Sequence, residues 1–241
     1  MSDLRAARLT GVLFIVATVA DLLGATVRPG LTGTDYLGGL AAAPERVAAG
    51  ALLLLVAAFA CAGIAVAMYP VLKRTDTGLA LGSVVFRALE AVMYMVAIVC
   101  LLSLSTLGQA FVSAGAADRG ALGAIGGLLV SLRDHAALAG VFAFSLGAFL
   151  YYVILFRSRL IPRWLSGWGI AAIGLLAAMA VLALVADRPV TSVPVLAFPL
   201  FLQEMVLAVW LIARGFSPVR GTAPEAGVAA GRAAGTLAAA R

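Results

Sequence analysis

Charged residues are scarce in this sequence: Asp, Glu, Lys and Arg make up only 12% of its 241 residues. A soluble domain carries about a quarter charged residues and is about half apolar. Here 63% of the residues are hydrophobic, and the mean hydropathy is +1.10. So much apolar surface needs lipid as its solvent. The composition therefore excludes an ordinary soluble domain and predicts an all-α integral membrane protein.

Cysteine and histidine are also scarce, which limits metal and redox chemistry. Cys61 and Cys100 lie inside apolar runs without a CxxC or Cys/His spacing, so we interpret them as small buried side chains. His135 is the single histidine, and a tight metal site needs more than one nitrogen or sulfur ligand. Glu90 and Glu204 could join it only if all three lay at one depth, which their positions in the spans do not predict. The sequence thus predicts no metal site and specifies no cofactor.

The basic balance does not indicate nucleic acid as a partner. The net charge is +6 and the isoelectric point is near 10.0. However, the basic residues stand in short segments between apolar runs, without the interleaved aromatics of a nucleic-acid surface. Short basic loops are typical of membrane proteins. The predicted partner is the lipid bilayer. A small-molecule ligand is compatible with the sequence, but the sequence gives no information on protein partners.

The apolar runs predict a polytopic bundle of about six transmembrane helices in a domain covering residues 1–214. Residues 34–44 offer a capped surface helix, and residues 108–131 are too weakly apolar for a span, so we expect short interfacial helices in these outer loops. Residues 215–241 form an Ala/Gly-rich tail with nothing to bury, which predicts disorder. The predicted spans are 9–27, 47–72, 79–107, 133–156, 164–186 and 193–213.

The distribution of Lys and Arg predicts the orientation. Most of them fall in residues 1–8, 73–78, 157–163 and 214–241, which alternate topology places on one side of the membrane. Basic loops favour the cytoplasm. We therefore expect a multi-pass protein of a cell inner (plasma) membrane with cytoplasmic N- and C-termini.

One predicted span carries a polar stripe. Ser83, Arg87, Glu90 and Tyr94 stand at i, i+4, i+7 and i+11, so a helix places them on one face. Ionisable side chains at such depth are costly and normally face the interior of the bundle. The stripe is the first candidate for a ligand or proton site.

Three other predicted spans carry ionisable groups. Asp21 and His135 are expected in the outer third of the membrane, and Glu204 near its middle, after a proline at 199 that we expect to kink the helix. Arg87 could pair with Glu90 or Glu204 and only hold helices together. Alternatively, Arg87 alone cannot neutralise the three carboxylates of Glu90, Glu204 and Asp21. At least one of them then carries a proton, binds a cation or contacts water.

A Ser/His/Asp arrangement is not predicted. Ser131 is one turn before His135, but Asp134 is adjacent to it and points about 100° away on a helix. We therefore predict no catalytic residue.

Several segments together resemble one protein family; they are residues 8–14, 86–91, 134–136, 155–167 and 203–211. Over residues 8–216 the chain resembles the bacterial membrane-protein family known as domain of unknown function 4386. The resemblance implies a six-helix integral membrane protein and no particular activity.

The sequence therefore favours an inner-membrane protein with a buried polar site for transport or sensing of a small molecule or protons. In this hypothesis Arg87 holds an anion or fixes a carboxylate, Glu204 exchanges a proton, and Asp21 and His135 lie at the outer entrance. One alternative is an intramembrane enzyme on a lipid-soluble substrate, with His135 or a glutamate as acid and base; the sequence leans away from it. Another is a non-catalytic membrane subunit or scaffold.

Overall fold

The structure, a computed structural model, describes residues 2–186, 188–189 and 197–217, and within them it is entirely helical. Five of its helices are long and apolar enough to cross a membrane. The prediction of an all-α membrane bundle is confirmed, and the protein is a multi-pass membrane protein. The helices are α1 (Asp3–Val27), α2 (Tyr36–Ala41), α3 (Pro44–Leu72), α4 (Thr77–Ser113), α5 (Ala116–Ser158), α6 (Arg163–Val185) and α7 (Phe198–Ala213).

The sixth apolar helix, α7, is shorter than the other five, with 16 residues. It falls within the predicted span 193–213, of which residues 193–196 lie outside the described residues. Pro199 lies in its first turn, where backbone N–H groups have no hydrogen-bond acceptor within the helix, so a residue without an N–H is tolerated. The expected kink is therefore wrong for the described helix, because the proline begins α7 instead of interrupting it.

The six long helices form a ring in the order of the chain. Each of α1, α3, α4, α5, α6 and α7 packs against the next, and α7 packs against α1 to close the ring. The short helix α2 lies against α4 and α3 at one end. Side chains that face the centre of this ring are therefore shared among several helices.

Glycines allow two of these helix pairs to approach closely. A Cβ atom at Gly11 of α1 would lie 2.6 Å from the carbonyl oxygen of Ala208 of α7, and Gly24 of α1 and Gly50 of α3 oppose each other similarly. In membranes, where apolar side chains gain nothing by leaving lipid, such small residues permit the van der Waals contact that holds helices together.

We expect Gly11→Ala to destabilise the bundle by roughly 1 kcal/mol, because the added methyl group must separate α1 from α7. Thermal unfolding in detergent measures the effect. Gly174→Ala is the matched control, since a Cβ atom there meets no other atom within 4 Å. Equal unfolding temperatures for the two variants would contradict the close α1–α7 contact.

Large apolar side chains cover the outside of the ring. On α3, Leu52, Phe59 and Val66 follow one another at seven-residue spacing and are 63%, 61% and 59% exposed. Soluble proteins do not leave continuous apolar stripes of this kind in water. This face of α3 is therefore a lipid-facing surface.

The first and last described residues of the chain lie at the same end of the bundle. Asp3 forms an ion pair of 2.8 Å with Arg74 in the α3–α4 turn, and the backbone N–H of Ser217 donates to the carbonyl of Leu160 in the α5–α6 turn. We call this the termini end, and the opposite one, which carries α2, the α2 end. Of the tail predicted over residues 215–241, the structure describes residues 215–217, and 218–241 lie outside the described residues.

The segment 108–131 differs from its prediction as a loop with a surface helix. It consists of the last turns of α4 and the first turns of α5, joined at Ala114 and Gly115. At 37 and 43 residues these helices are about 55 and 65 Å long, well beyond the hydrocarbon thickness of about 30 Å. The low hydropathy of the segment is unfavourable for lipid, but its alanines favour helix, so α4 and α5 continue past the apolar region as a hairpin.

Candidate functional site

Arg87 of α4 is buried at the centre of the ring, 1% exposed. Gly147 of α5 leaves the space for it, since a Cβ atom there would lie 3.0 Å from Arg87 Cγ. The guanidinium stands over the ring of Phe144, 4.7 Å from its centroid, and Nε donates to the carbonyl oxygen of Cys61 of α3 at 3.3 Å. Three helices therefore define the position of this cation.

The carboxylate that neutralises Arg87 is Glu90 of the same helix. Arg87 Nη1 and Glu90 Oε2 are 2.7 Å apart, with side-chain exposures of 1% and 5%. The two atoms are not aligned as a hydrogen bond, and neither makes one to any other described residue. Because the pair lies within one helix, it does not itself join two helices. It also leaves donor and acceptor capacity unused.

Glu204 of α7 is the surplus carboxyl group. Its Oε1 atom is inaccessible and has no hydrogen-bond partner among the described residues, and none of the described cations lies within 4.0 Å of the carboxylate. It lies within electrostatic range of Arg87 and Glu90. An isolated buried charge is very costly, so this position favours a bound proton or a bound cation.

Tyr151 of α5 adds a fourth unpartnered polar atom to the same region. Its side chain is fully buried, and its hydroxyl makes no hydrogen bond to a described residue. Arg87, Glu90 and Glu204 all lie within electrostatic range of it. Arg87 Nη1, Glu90 Oε2, Tyr151 Oη and Glu204 Oε1 therefore form one group, which we call the central cluster.

A second polar arrangement lies beside the central cluster and joins α5, α6 and α7. Tyr152 of α5 donates its hydroxyl proton to Gln203 Oε1 of α7, and Gln203 Nε2 donates to the carbonyl oxygen of Leu165 of α6 at 3.1 Å. All three residues are 0% exposed. This Gln203 layer is hydrogen-bonded and fully buried. This layer was not predicted; its only signals in the sequence are a Tyr–Tyr pair and a glutamine inside apolar runs.

Asp21 of α1 contacts Tyr94, the last residue of the polar stripe formed by Ser83, Arg87, Glu90 and Tyr94. The hydroxyl of Tyr94 of α4 donates to Asp21 Oδ1 at 3.1 Å. Asp21 also lies within electrostatic range of Glu90, which is one helical turn from Tyr94 on the same face. Asp21 and Tyr94 therefore extend the central cluster toward the α2 end.

Charged residues surround Asp21 at that end. Arg133 and Asp134 of α5 form an ion pair of 2.8 Å. Arg28, just after α1, lies within electrostatic range of both and of Asp21. Burial, followed by the like charge of Arg133, lowers the pKa of the Arg28 guanidinium. The α2 end thus holds a partly buried group of mixed charges directly above Asp21.

His135 is not part of this assembly. Its side chain is exposed on α5, and Nδ1 lies 2.7 Å from the carbonyl oxygen and 3.3 Å from the hydroxyl of Ser131 in the same helix. Asp134 contacts Arg133 instead of His135. The structure therefore brings together Asp21, Tyr94, Glu90 and Arg87, with Glu204 close by, and leaves His135 apart.

The central cluster can bind a proton, but it is not arranged as a metal site. In the described ranges no three His, Cys, Asp or Glu side chains converge as ligands of one ion. Carboxyl and phenol groups inside a helical bundle are suited to taking up and releasing protons. The arrangement therefore favours proton chemistry at Glu90 and Glu204.

Comparison with known proteins gives a family and no activity. The family described as "Domain of unknown function (DUF4386)" matches residues 9–215. The chain belongs to this family. The resemblance that the sequence segments indicated is confirmed, and the DUF4386 region contains every residue of the central cluster and the Gln203 layer. No curated protein and no solved structure matches the chain significantly.

Proposed function

We propose that this DUF4386 protein carries or senses protons, or a small molecule coupled to them, at the central cluster inside a bacterial inner membrane. The observation that supports this most is Glu204, whose half-buried side chain has an inaccessible Oε1 atom without a hydrogen-bond or ion-pair partner in the described part of the chain. Natural membrane proteins rarely keep such a group unless it has a function.

The charge balance supports a proton as the species exchanged. Arg87 is the single buried cation of the cluster, and Glu90 lies 2.7 Å from it. Ionised Glu204 would give the cluster a net negative charge in a low-dielectric environment, which costs several kcal/mol. Binding one proton at Glu204 removes that cost. Arg87 then fixes Glu90 and keeps the second carboxyl group in place.

The position of the basic residues supports a cytoplasmic termini end. Arg5, Arg74, Arg163 and Arg214 belong to the segments at that end, and loops rich in arginine and lysine favour the cytoplasm. Trp164 there is 57% exposed, as expected of an aromatic side chain at the membrane surface. A cytoplasmically active reporter fused after residue 217 should therefore be functional, and one inserted between residues 33 and 34 should not.

We expect infrared difference spectra recorded across a pH titration to contain a protonated carboxyl band that disappears in Glu204→Gln. The reason is that glutamine keeps the shape of the side chain but cannot bind the proton. Glu45→Gln, at an exposed carboxylate in the first turn of α3, is the control and should leave the band unchanged. A Glu204 carboxyl that stays ionised at every pH would refute its role.

Transport is measured separately, in proteoliposomes that contain a trapped pH indicator. If the protein conducts protons, an imposed pH gradient should collapse at least about tenfold more slowly with Glu204→Gln than with the parent, as for loss of a group that transfers protons. Glu45→Gln should behave like the parent. A titrating Glu204 band without any proton flux would assign the protein to sensing instead of transport.

A further inference from the structure

Resting on the proposed function, we further propose that protons reach the central cluster from the α2 end only, through Asp21 and Tyr94. In this assignment Asp21 takes up the proton, Tyr94 transfers it to Glu90, and the packed apolar core toward the termini end closes the opposite side.

The first support is the direct contact between Asp21 and Tyr94. The Tyr94 hydroxyl and Asp21 Oδ1 are 3.1 Å apart, a distance at which a proton can be exchanged. Tyr94 lies four residues after Glu90 on one helix face, which corresponds to about 6 Å along the axis. The tyrosine is thus between the carboxyl group on α1 and the carboxyl group of the cluster.

The proton balance of this transfer is simple. Protonated Asp21 donates its proton to the Tyr94 oxygen while the Tyr94 hydroxyl proton passes to Glu90, directly or through one water. Tyr94 is neutral before and after the step, Asp21 returns to the carboxylate, and Glu90 gains one proton, which then passes to Glu204 and leaves Glu90 ionised beside Arg87. No oxidant, reductant or metal takes part.

The surroundings of Asp21 favour the α2 end as the source of protons. Asp21 is partly exposed, and charged groups lie around it on the side toward that end. Polar groups of this kind hold water near the membrane surface. The titratable or charged groups within electrostatic range of Asp21 are Tyr94 and Glu90 of α4, Cys61 of α3, Arg28 after α1, and Arg133 of α5.

The opposite end contrasts with this in packing. Beside Glu204, the Gln203 side-chain amide and the Tyr152 hydroxyl are used in bonds to each other and to the Leu165 carbonyl. Fully buried apolar side chains of the largest core cluster continue from there, among them Met68, Leu155 and Leu211. Among the described residues of this region, the buried Trp210 Nε1 has no hydrogen-bond partner, but an indole N–H only donates and cannot take up a proton. The packed apolar side chains around it offer no path for a proton.

Sided cysteine labelling tests this assignment in sealed vesicles. Single cysteines are placed in a Cys61→Ala/Cys100→Ala background and treated with a membrane-impermeant thiol reagent from either side. Thr34→Cys marks the α2 end and Thr75→Cys the termini end, since both positions are exposed. We expect Asp21→Cys to react only from the side that labels Thr34→Cys, and Gln203→Cys to react from neither. Reaction of Asp21→Cys from the Thr75 side, or from neither side, would overturn the assignment.

A kinetic measurement keeps the assignment testable if a cysteine variant does not fold. Asp21→Asn should slow the appearance of the Glu204-dependent infrared band after a pH jump at least about tenfold, with its final amplitude unchanged. Asp21→Glu should restore much of the rate, and Asp35→Asn, at an exposed position of the same end, is the control. An unchanged rate in Asp21→Asn would refute this route while leaving the role of Glu204 intact. Loss of the band only in Glu204→Gln supports the proposed function independently.

Discussion

Arg87→Met is expected to lower the free energy of unfolding by about 3–5 kcal/mol, because it leaves Glu90 as an uncompensated buried charge. Both side chains of this pair are almost completely inaccessible, and Nη1 and Oε2 are 2.7 Å apart. Thermal unfolding in detergent measures the loss. The loss should shrink as the pH is lowered, since protonation of Glu90 removes the isolated charge.

The second half of this experiment separates a structural role from a functional one. Adding Glu90→Gln to Arg87→Met removes the orphaned charge, so the double variant should recover much of the lost stability. The control is the exposed pair Arg74 and Asp3, with side-chain exposures of 49% and 46%, whose disruption should cost no more than about 1 kcal/mol. If Arg87→Met is as stable as the parent, the buried ion pair does not stabilise the fold.

The double variant also bears on the scaffold alternative. The proposed function predicts that the Arg87→Met/Glu90→Gln protein is stable but has lost the Glu204-dependent proton response. A stable double variant that keeps the response would assign Arg87 and Glu90 to folding alone.

Gln203→Leu is expected to destabilise the protein by about 1–3 kcal/mol, because it leaves the fully buried Tyr152 hydroxyl without its hydrogen-bond partner. Adding Tyr152→Phe removes the orphaned hydroxyl and should restore part of the stability. Gln109→Leu is the matched control, because Gln109 is exposed and its bond to the Ala41 carbonyl can be replaced by water. Chemical denaturation in detergent measures all three variants against the parent. Equal losses for Gln203→Leu and Gln109→Leu would contradict the importance of this layer.

The positions of the helices were largely predictable, because hydropathy reports directly on contact with lipid. The exception is the segment 108–131, where weak hydropathy hid the continuation of α4 and α5. Its residues need not contact lipid, so their helical state depends on intrinsic propensity and on packing at the α4–α5 hairpin. The kink predicted at Pro199 was wrong for the described helix because the sequence alone did not show that α7 begins at this proline.

The candidate site was predictable only in part. Helical spacing placed Ser83, Arg87, Glu90 and Tyr94 on one face, and all four are found on the same side of α4. Spacing within one helix says nothing about the facing helix, so the choice of Glu90 over Glu204 as the partner of Arg87 remained open. His135, equally conspicuous in the sequence, is exposed and apart from the other polar side chains.

The sequence by itself determined the class of protein. Its scarce charge and long apolar runs require lipid as the solvent, and in lipid a backbone with apolar runs of this length satisfies its own hydrogen bonds by forming helices. Tertiary structure alone decided which polar atoms meet. The ring of six helices brings Tyr151 and Glu204 toward Arg87, joins Tyr152 to Gln203, and sets Asp21 against Tyr94. The physical reason is that an apolar helix shows no clear difference between its lipid-facing and core-facing sides in sequence. Its rotation and depth are set by close contacts at small residues such as Gly11 and Gly147, which become visible only when the helices are packed.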